Sequence, residues 1–528
     1  MVQADQRRVD TLFGALERWG EHAEPGRRTL TGLRNGEEWV ELSYEDLLSD
    51  IVRVSAHLAD LGLGRGDVIC LVLPNWTEAV IYTYAASRIG AVVCPVTTIY
   101  RRRELGFVLE RTHCKVVVVP SVYRGFEYAA MVSEMAADLP DLTTIVSVGD
   151  NQEPGVVSSK ELLATTPTPV EPADVTVDDV AVLAFTSGTT GESKGVMHSH
   201  ATMHAVIDDL VEHAGFGGGL TSLVMSPFGH LTGFTWGILM PLRGGGDVVL
   251  LESWDPEKAL DLVDRYRVTF TMGATPFLND LLERAGKRAR VVFPDVFVCG
   301  GAPIPPSLVE RAVQRFGCRV VAVWGMSEYC VGTATAVQDE PVLASTSDGR
   351  PVGSADVKVV DPEGNPVAVG EEGDLIIRGP GRFLGYYKRP DIDAGSLTTD
   401  GYLKTGDRAR LLDERGHIRI CGRTKDIIIR GGENIPVVEI ENILVTHPDI
   451  KDVALVPLPH ERLGETACAC VVLQPNASGL TVEDLGAFLG AHDVAKQFWP
   501  EAVRVLSEFP RTPSGKIQKF ALRERALS

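Results

Sequence analysis

Basic residues are scarce in this 528-residue chain: 51 Lys and Arg stand against 71 Asp and Glu, a formal net charge of −20. That deficit argues against bulk binding to nucleic acid or to an anionic membrane. It also means that an anionic substrate must be met by a local positive patch working against the global field. Metal-ligand spacing of cysteine is missing as well. The nine cysteines contain no CxxC pair, and the nearest approach is Cys468-Ala-Cys470, so neither a zinc site nor a disulfide scaffold is expected. The plain expectation is buried apolar thiols in a reducing compartment. No apolar run approaches the ~20 residues of a membrane span; Glu78 and Arg88 break the run between them. The opening MVQADQRRVD lacks an apolar core, so no secretory signal is expected, and the chain reads as cytoplasmic. Solenoid-type repeats are absent too.

What remains is an ordinary globular composition, 44% hydrophobic and 23% charged, which excludes wholesale disorder. The length suggests about three or four domain-sized units. Helical and strand patterns alternate, which predicts an α/β fold of layered sheets. Residues 44–63 carry apolar groups at three- and four-residue spacing behind Ser43, a cap candidate. The apolar run 67–73 ends at Pro74 and reads as a buried strand, as do VVLLE, VTFTMG and VVFPDVFVCGG within 246–300. From about residue 353, short runs punctuated by Gly and Asp predict a β-rich subdomain. Residues 426–528 then read strand, helix, strand, helix, with a helix at 482–490. A boundary near residues 420–425 is therefore expected, leaving a large N-terminal domain and a tail of about 100 residues, enough for a small α+β domain of its own.

One segment carries more chemistry than the rest. The apolar strand 180–185 feeds directly into Thr186-Ser187-Gly188-Thr189-Thr190-Gly191-Glu192-Ser193-Lys194-Gly195. Glycines there let backbone N–H groups surround phosphate oxygens, hydroxyls add donors and Lys194 adds charge. It is not the Walker pattern GxxxxGK[ST], which disfavours a kinase-type phosphotransferase. Alone it would be an ordinary polar turn about as often as a phosphate loop. Five further segments are equally mute when isolated: Gly300-Gly301-Ala302-Pro303, Trp324-Gly325-Met326-Ser327-Glu328, Thr405-Gly406-Asp407, Gly422-Arg423-Thr424-Lys425-Asp426 and Pro510-Arg511-Thr512-Pro513-Ser514-Gly515-Lys516.

Taken together and in this order, the six segments resemble the AMP-forming acyl-CoA synthetases of the adenylate-forming superfamily, across nearly the whole chain. Two departures stand out: Ser193 where the family usually has proline, and Ser327 where threonine is commoner. The resemblance implies a phosphate loop over 186–191 with Lys194, and an adenine- and acyl-facing loop over 300–303. It implies that Trp324 stacks on adenine beside Gly325 and Met326, with Ser327 near the α-phosphate. Mg²⁺ would be held by Glu328, with Thr189. Asp407 would clamp the ribose together with Arg423, and Lys425 would mark the hinge between a large domain over 1–424 and a small mobile domain over 425–528, whose Lys516 would reach across the cleft during adenylation.

The activity implied is ATP-dependent conversion of a carboxylate to acyl-AMP with release of pyrophosphate, then transfer of the acyl group to CoA with release of AMP. ATP and CoA are the co-substrates and Mg²⁺ the cofactor. Gly431, Gly432 and Glu433 would line the pantetheine path, the glycines otherwise being a tight turn between strand and helix. His230, Phe234, Thr275 and Met326 would line an apolar acyl pocket with no cation for a second charged group, which disfavours amino acids and diacids. At the subfamily level the strings HLTGF, TFTMGATPFL and IIIRGGENIPVVEIEN look most like cyclohexanecarboxylate–CoA ligases and medium-chain relatives. An alicyclic or medium-chain acid is the first expectation. Aryl acids, steroid side-chain acids and delivery to a carrier protein are the alternatives; a non-catalytic binding protein is disfavoured because Lys516, Glu328 and Asp407 are all present. Further expected partners are a lysine acetyltransferase acting on Lys516, whose charge it would remove, and a second copy of the chain as a homodimer.

Overall fold

The computed structural model describes residues 10–150, 153–186, 193–300, 304–423, 428–475, 477, 479–510, 517 and 519–527. Short strands buried on both faces build its first large sheet. Val68–Leu71, Val92–Pro95, Val116–Pro120 and Thr144–Val148 pair in parallel at its centre. Continuous valine, as in 116–119, is what a sheet covered by helices on both sides requires. The sheet turns antiparallel at one edge: Val180–Thr186 pairs with Lys194–Ser199, which pairs in turn with the two-residue strand Gly385–Tyr386. A second sheet of nine strands has a parallel centre of Asp247–Leu250, Thr221–Val224, Phe270–Gly273, Val296–Gly300 and Arg319–Met326.

Helix Thr77–Arg88 packs between these sheets with every residue buried. Glu78 and Arg88, which interrupt the apolar run in sequence, are therefore inside. The Glu78 carboxylate accepts from the Asn35 N–H at 2.9 Å, and the Arg88 guanidinium donates to Ser55 Oγ at 3.1 Å. Helix Tyr44–Asp60 starts at Ser43, whose hydroxyl and the Asp46 carboxylate form a reciprocal capping box.

Past residue 353 the expected β-rich region is a four-stranded antiparallel sheet of Asp356–Val360, Glu372–Arg378, Leu403–Leu411 and Ile418–Arg423. The separate C-terminal domain has its own five-stranded sheet, centred on Ile450–His460 and Gly464–Leu473. Strand alternation splits its core in two. Leu455, Ala469 and Val471 face helices Val437–Leu444 and Val482–Ala491, whereas Ala454, Cys468 and Cys470 face the terminal helix Lys519–Leu527. The expected boundary at 424/425 and the hinge residue Lys425 lie outside the described residues. Eight of the nine cysteines are buried, Cys421 is exposed, and all nine are free thiols. Among the described residues no helix is long and apolar enough to cross a membrane.

Candidate active site

The phosphate-loop candidate sits on a β-hairpin whose base is tied. Thr186 stands opposite Lys194 in the ladder, and Ser193 Oγ donates to the Thr186 carbonyl oxygen at 2.8 Å. The serine that replaces the family's proline thus closes the loop base with a hydrogen bond instead of a rigid ring. Ser187, Gly188, Thr189, Thr190 and Gly191 lie outside the described residues, as do Gly301, Ala302, Pro303 and Lys516.

The WGMSE segment ends strand Arg319–Met326 and turns into Tyr329–Ala334. Three contacts pin this turn. The buried His198, whose pKa burial pushes down to about 4, is neutral and donates from Nε2 to the Ser327 carbonyl at 2.7 Å. The Phe383 N–H donates to the Glu328 carbonyl at 2.9 Å, and the Tyr386 hydroxyl donates to Glu328 Oε1 at 2.6 Å. Trp324 takes a different part from the one expected. Its indole N–H donates to Asp407 Oδ2 at 2.9 Å, its ring packs beside Gly332, and it is not among the described residues lining the cavity. Here the flat ring is a buried donor that holds the ribose-clamp candidate. Arg423 stands opposite Asp407 in the strand ladder.

One cavity of about 1320 Å³ gathers Thr186, Lys194, His230, Gly300, Gly325, Met326, Ser327, Glu328 and Asp407 along its walls, together with Gly431, Gly432 and Glu433 of the C-terminal domain. The last three approach closely: His230 Nε2 and Glu433 Oε1 are 2.6 Å apart. Burial draws the His230 pKa down, but the charge and hydrogen bond of Glu433 outweigh it and raise it overall. Gly431 and Gly432, at φ +59° and +90°, form a two-residue turn between strands Ile428–Arg430 and Glu433–Ile435, not between a strand and a helix. A Cβ on Gly432 would stand 3.3 Å from that of Ala274.

A profile of AMP-binding enzymes matches residues 16–387, and one of the AMP-binding enzyme C-terminal domain matches 439–516. The chain belongs to the AMP-binding enzyme family. It is 35% identical to the medium-chain fatty-acid–CoA ligase of Escherichia coli K12 over 466 residues, 88% of this chain and 82% of that one. It is 33% identical to the 2-hydroxy-7-methoxy-5-methyl-1-naphthoate–CoA ligase of Streptomyces carzinostaticus, over 92% of this chain and 89% of that one. Among solved structures, the amide bond synthetase McbA of Marinactinospora thermotolerans superposes with a TM-score of 0.84 at 28% identity, covering 97% of this chain and all of that one.

Within this AMP-binding enzyme the chemistry of the donors fits the expected cation: Glu328 presents a hard carboxylate at the cavity wall, the ligand type Mg²⁺ takes. Two acyl-pocket expectations need correction. Phe234 is fully buried and packs edge-on against Phe228, with ring centroids 5.6 Å apart, because it sits on the core face of its helix. Thr275 starts helix Thr275–Ala285, and its Oγ1 lies 3.6 Å from Cys299 Sγ while its neighbours Ala274 and Phe277 line the cavity. The apolar lining includes Met326 together with Leu231, Trp236, Met272 and Phe277.

Trp236 was missed because it sits on a π-helix, Thr232–Leu239, whose wider turn breaks the 3.6-residue period. The only trace of it in sequence is Gly233-x3-Gly237. A Cβ at the first glycine would stand 2.4 Å from the Pro227 carbonyl oxygen, and at the second 2.9 Å from Val224, so the π-turn presses close to its neighbours. Tyr386 and His198 carried no motif signal at all.

Proposed function

We propose that the chain activates a small to medium apolar carboxylate as acyl-AMP and passes the acyl group to CoA. The reaction class, an AMP-forming acid–thiol ligase, follows from the family; the acid and the residue roles are our reading. The observation that carries it is the single cavity joining Lys194, Glu328 and Asp407 to an apolar wall on one side and to Gly431–Glu433 on the other.

A carboxylate is a poor acyl donor, since its resonance must be lost and its leaving group is oxide. Attack on the α-phosphate of ATP breaks the bond to pyrophosphate and makes a mixed anhydride. The barrier is electrostatic, an anion approaching a tetra-anion, and fixed cations with preorganised donors lower it. Lys194, the 186–191 loop and Lys516 would supply these, and Mg²⁺ held by Glu328 would neutralise phosphate charge. Asp407, steadied by Trp324, would accept from the ribose hydroxyls. The CoA thiol, entering past Gly431 and Gly432, would then attack the carbonyl and expel AMP. The closeness of Gly432 to Ala274 favours the acyl-transfer arrangement for the described conformer.

The apolar lining favours alicyclic or medium-chain acids, with aryl acids as the second reading because the wall also includes the aromatic residues Trp236 and Phe277. The test is a carboxylate panel of cyclohexanecarboxylate, benzoates and C4–C12 acids, with ATP and with or without CoA, read by product mass. AMP, pyrophosphate and a CoA thioester for apolar acids are expected. Acyl-AMP that persists with CoA present would instead indicate a carrier protein or amine as acceptor. Turnover confined to charged acids would refute the pocket reading.

A further inference from the structure

We propose that Tyr386 is a positioning residue for adenylation, holding the Glu328 carboxylate ready for its cation and joining it to the strand that carries Lys194. The inference rests on the reading of Glu328 as the Mg²⁺-holding carboxylate, and nothing in the sequence motifs singled Tyr386 out.

The segment 383–387 is stitched to both partners. Leu384 N–H donates to the Met197 carbonyl at 2.8 Å and Tyr387 N–H to the Gly195 carbonyl at 2.7 Å, so it runs as an edge strand beside Lys194–Ser199 with Tyr386 opposite Val196. Two residues before the paired Gly385–Tyr386, the Phe383 N–H donates to the Glu328 carbonyl at 2.9 Å. The Tyr386 backbone is itself fixed, its N–H donating to Asp393 Oδ1 at 2.8 Å, and the Phe383 ring meets its ring edge-on at 4.9 Å.

From that anchored position the side chain faces two ways. Its hydroxyl donates to Glu328 Oε1 at 2.6 Å, while the Lys194 ammonium lies 5.0 Å from its ring centroid, within cation–π range. A free glutamate side chain loses rotamer freedom when it takes a cation. At Glu328 the Tyr386 bond imposes that order on the carboxylate beforehand, while the Phe383 bond fixes the backbone that carries it. The same tyrosine links the two parts that must act together on the nucleotide, the Lys194 strand and the Glu328 turn.

Tyr386→Phe separates the two contacts, because it deletes the hydroxyl and keeps the ring beneath Lys194. A charge-assisted hydrogen bond of this kind is worth about ten-fold or more in an equilibrium constant. The half-saturating Mg²⁺ for pyrophosphate release is therefore expected to rise by about ten-fold. Binding of Mn²⁺ in the presence of ATP, followed by electron paramagnetic resonance, is expected to weaken by a similar factor. Acyl transfer from supplied acyl-AMP should fall by much less.

Glu328→Gln serves as the reference. An unchanged metal requirement in that variant would overturn the Glu328 reading itself. A raised requirement in Glu328→Gln beside a wild-type-like Tyr386→Phe would overturn the role of Tyr386 alone. So would an equal fall of both half-reactions in Tyr386→Phe, which would mark a merely structural residue.

Discussion

Trp324 and Asp407 stand 83 positions apart and meet through one hydrogen bond of 2.9 Å between an indole N–H and a buried carboxylate. Trp324→Phe keeps the ring and removes the donor. A hydrogen bond to a charged group is worth about 1.5–3 kcal/mol. The KM for ATP is therefore expected to rise by about ten-fold or more, with the KM for the acid nearly unchanged. Steady-state titration of each substrate checks this, and an ATP KM like wild type would show that the bond does not position Asp407. Both residues were legible as motif members, but their partnership was not, because a sequence gives the residue type and not what it faces. His198 and Tyr386 were illegible for a related reason: a lone histidine or tyrosine in a strand has no spacing to announce it, and only the carbonyl of Ser327 and the carboxylate of Glu328 make them informative.

Strand Lys194–Ser199 and helix His200–Ala214 bury three histidines, His198, His200 and His204. Burial lowers the pKa of His198 and His200 from 6.5 to about 4, and lowers that of His204 well below 6.5. The unfolded chain takes up these protons below pH about 6.5 while the folded one does not. Stability is thus complete above 6.5 and declines as pH falls from 6.5 toward 4. His200 Nδ1 accepts from the Leu12 N–H at 3.0 Å, so protonation there also releases the first turn of helix Leu12–His22. Thermal unfolding is expected to move several degrees lower between pH 7.5 and 5, with a smaller shift in His200→Asn; a flat profile would contradict it. Regular elements were largely legible: helix Tyr44–Asp60 with its Ser43 cap and helix Val482–Ala491 follow apolar periodicity. Helix Thr77–Arg88 shows the limit, since polar residues satisfied inside a core look like surface residues in a sequence.

Across the whole molecule, the change of texture near residue 353 and the two-domain division were readable from composition and turn residues. How the C-terminal domain sits was not, because it depends on pairs between distant segments: His230 with Glu433 at 2.6 Å, and Arg103 with Glu439 and Arg462 with Asp280, both at 2.9 Å. The reading of two half-reactions on one cavity predicts that Lys516→Ala nearly abolishes acyl-AMP formation while transfer from supplied acyl-AMP largely survives. Measuring the halves separately decides it, and an equal loss in both would count against the assignment. The central claim, that the carboxylate itself attacks the α-phosphate, has a more direct test. An apolar acid labelled with ¹⁸O in its carboxylate is turned over with ATP and CoA, and the nucleotide product is weighed. The account predicts AMP carrying one ¹⁸O and unlabelled pyrophosphate; unlabelled AMP, or ADP in its place, would contradict it.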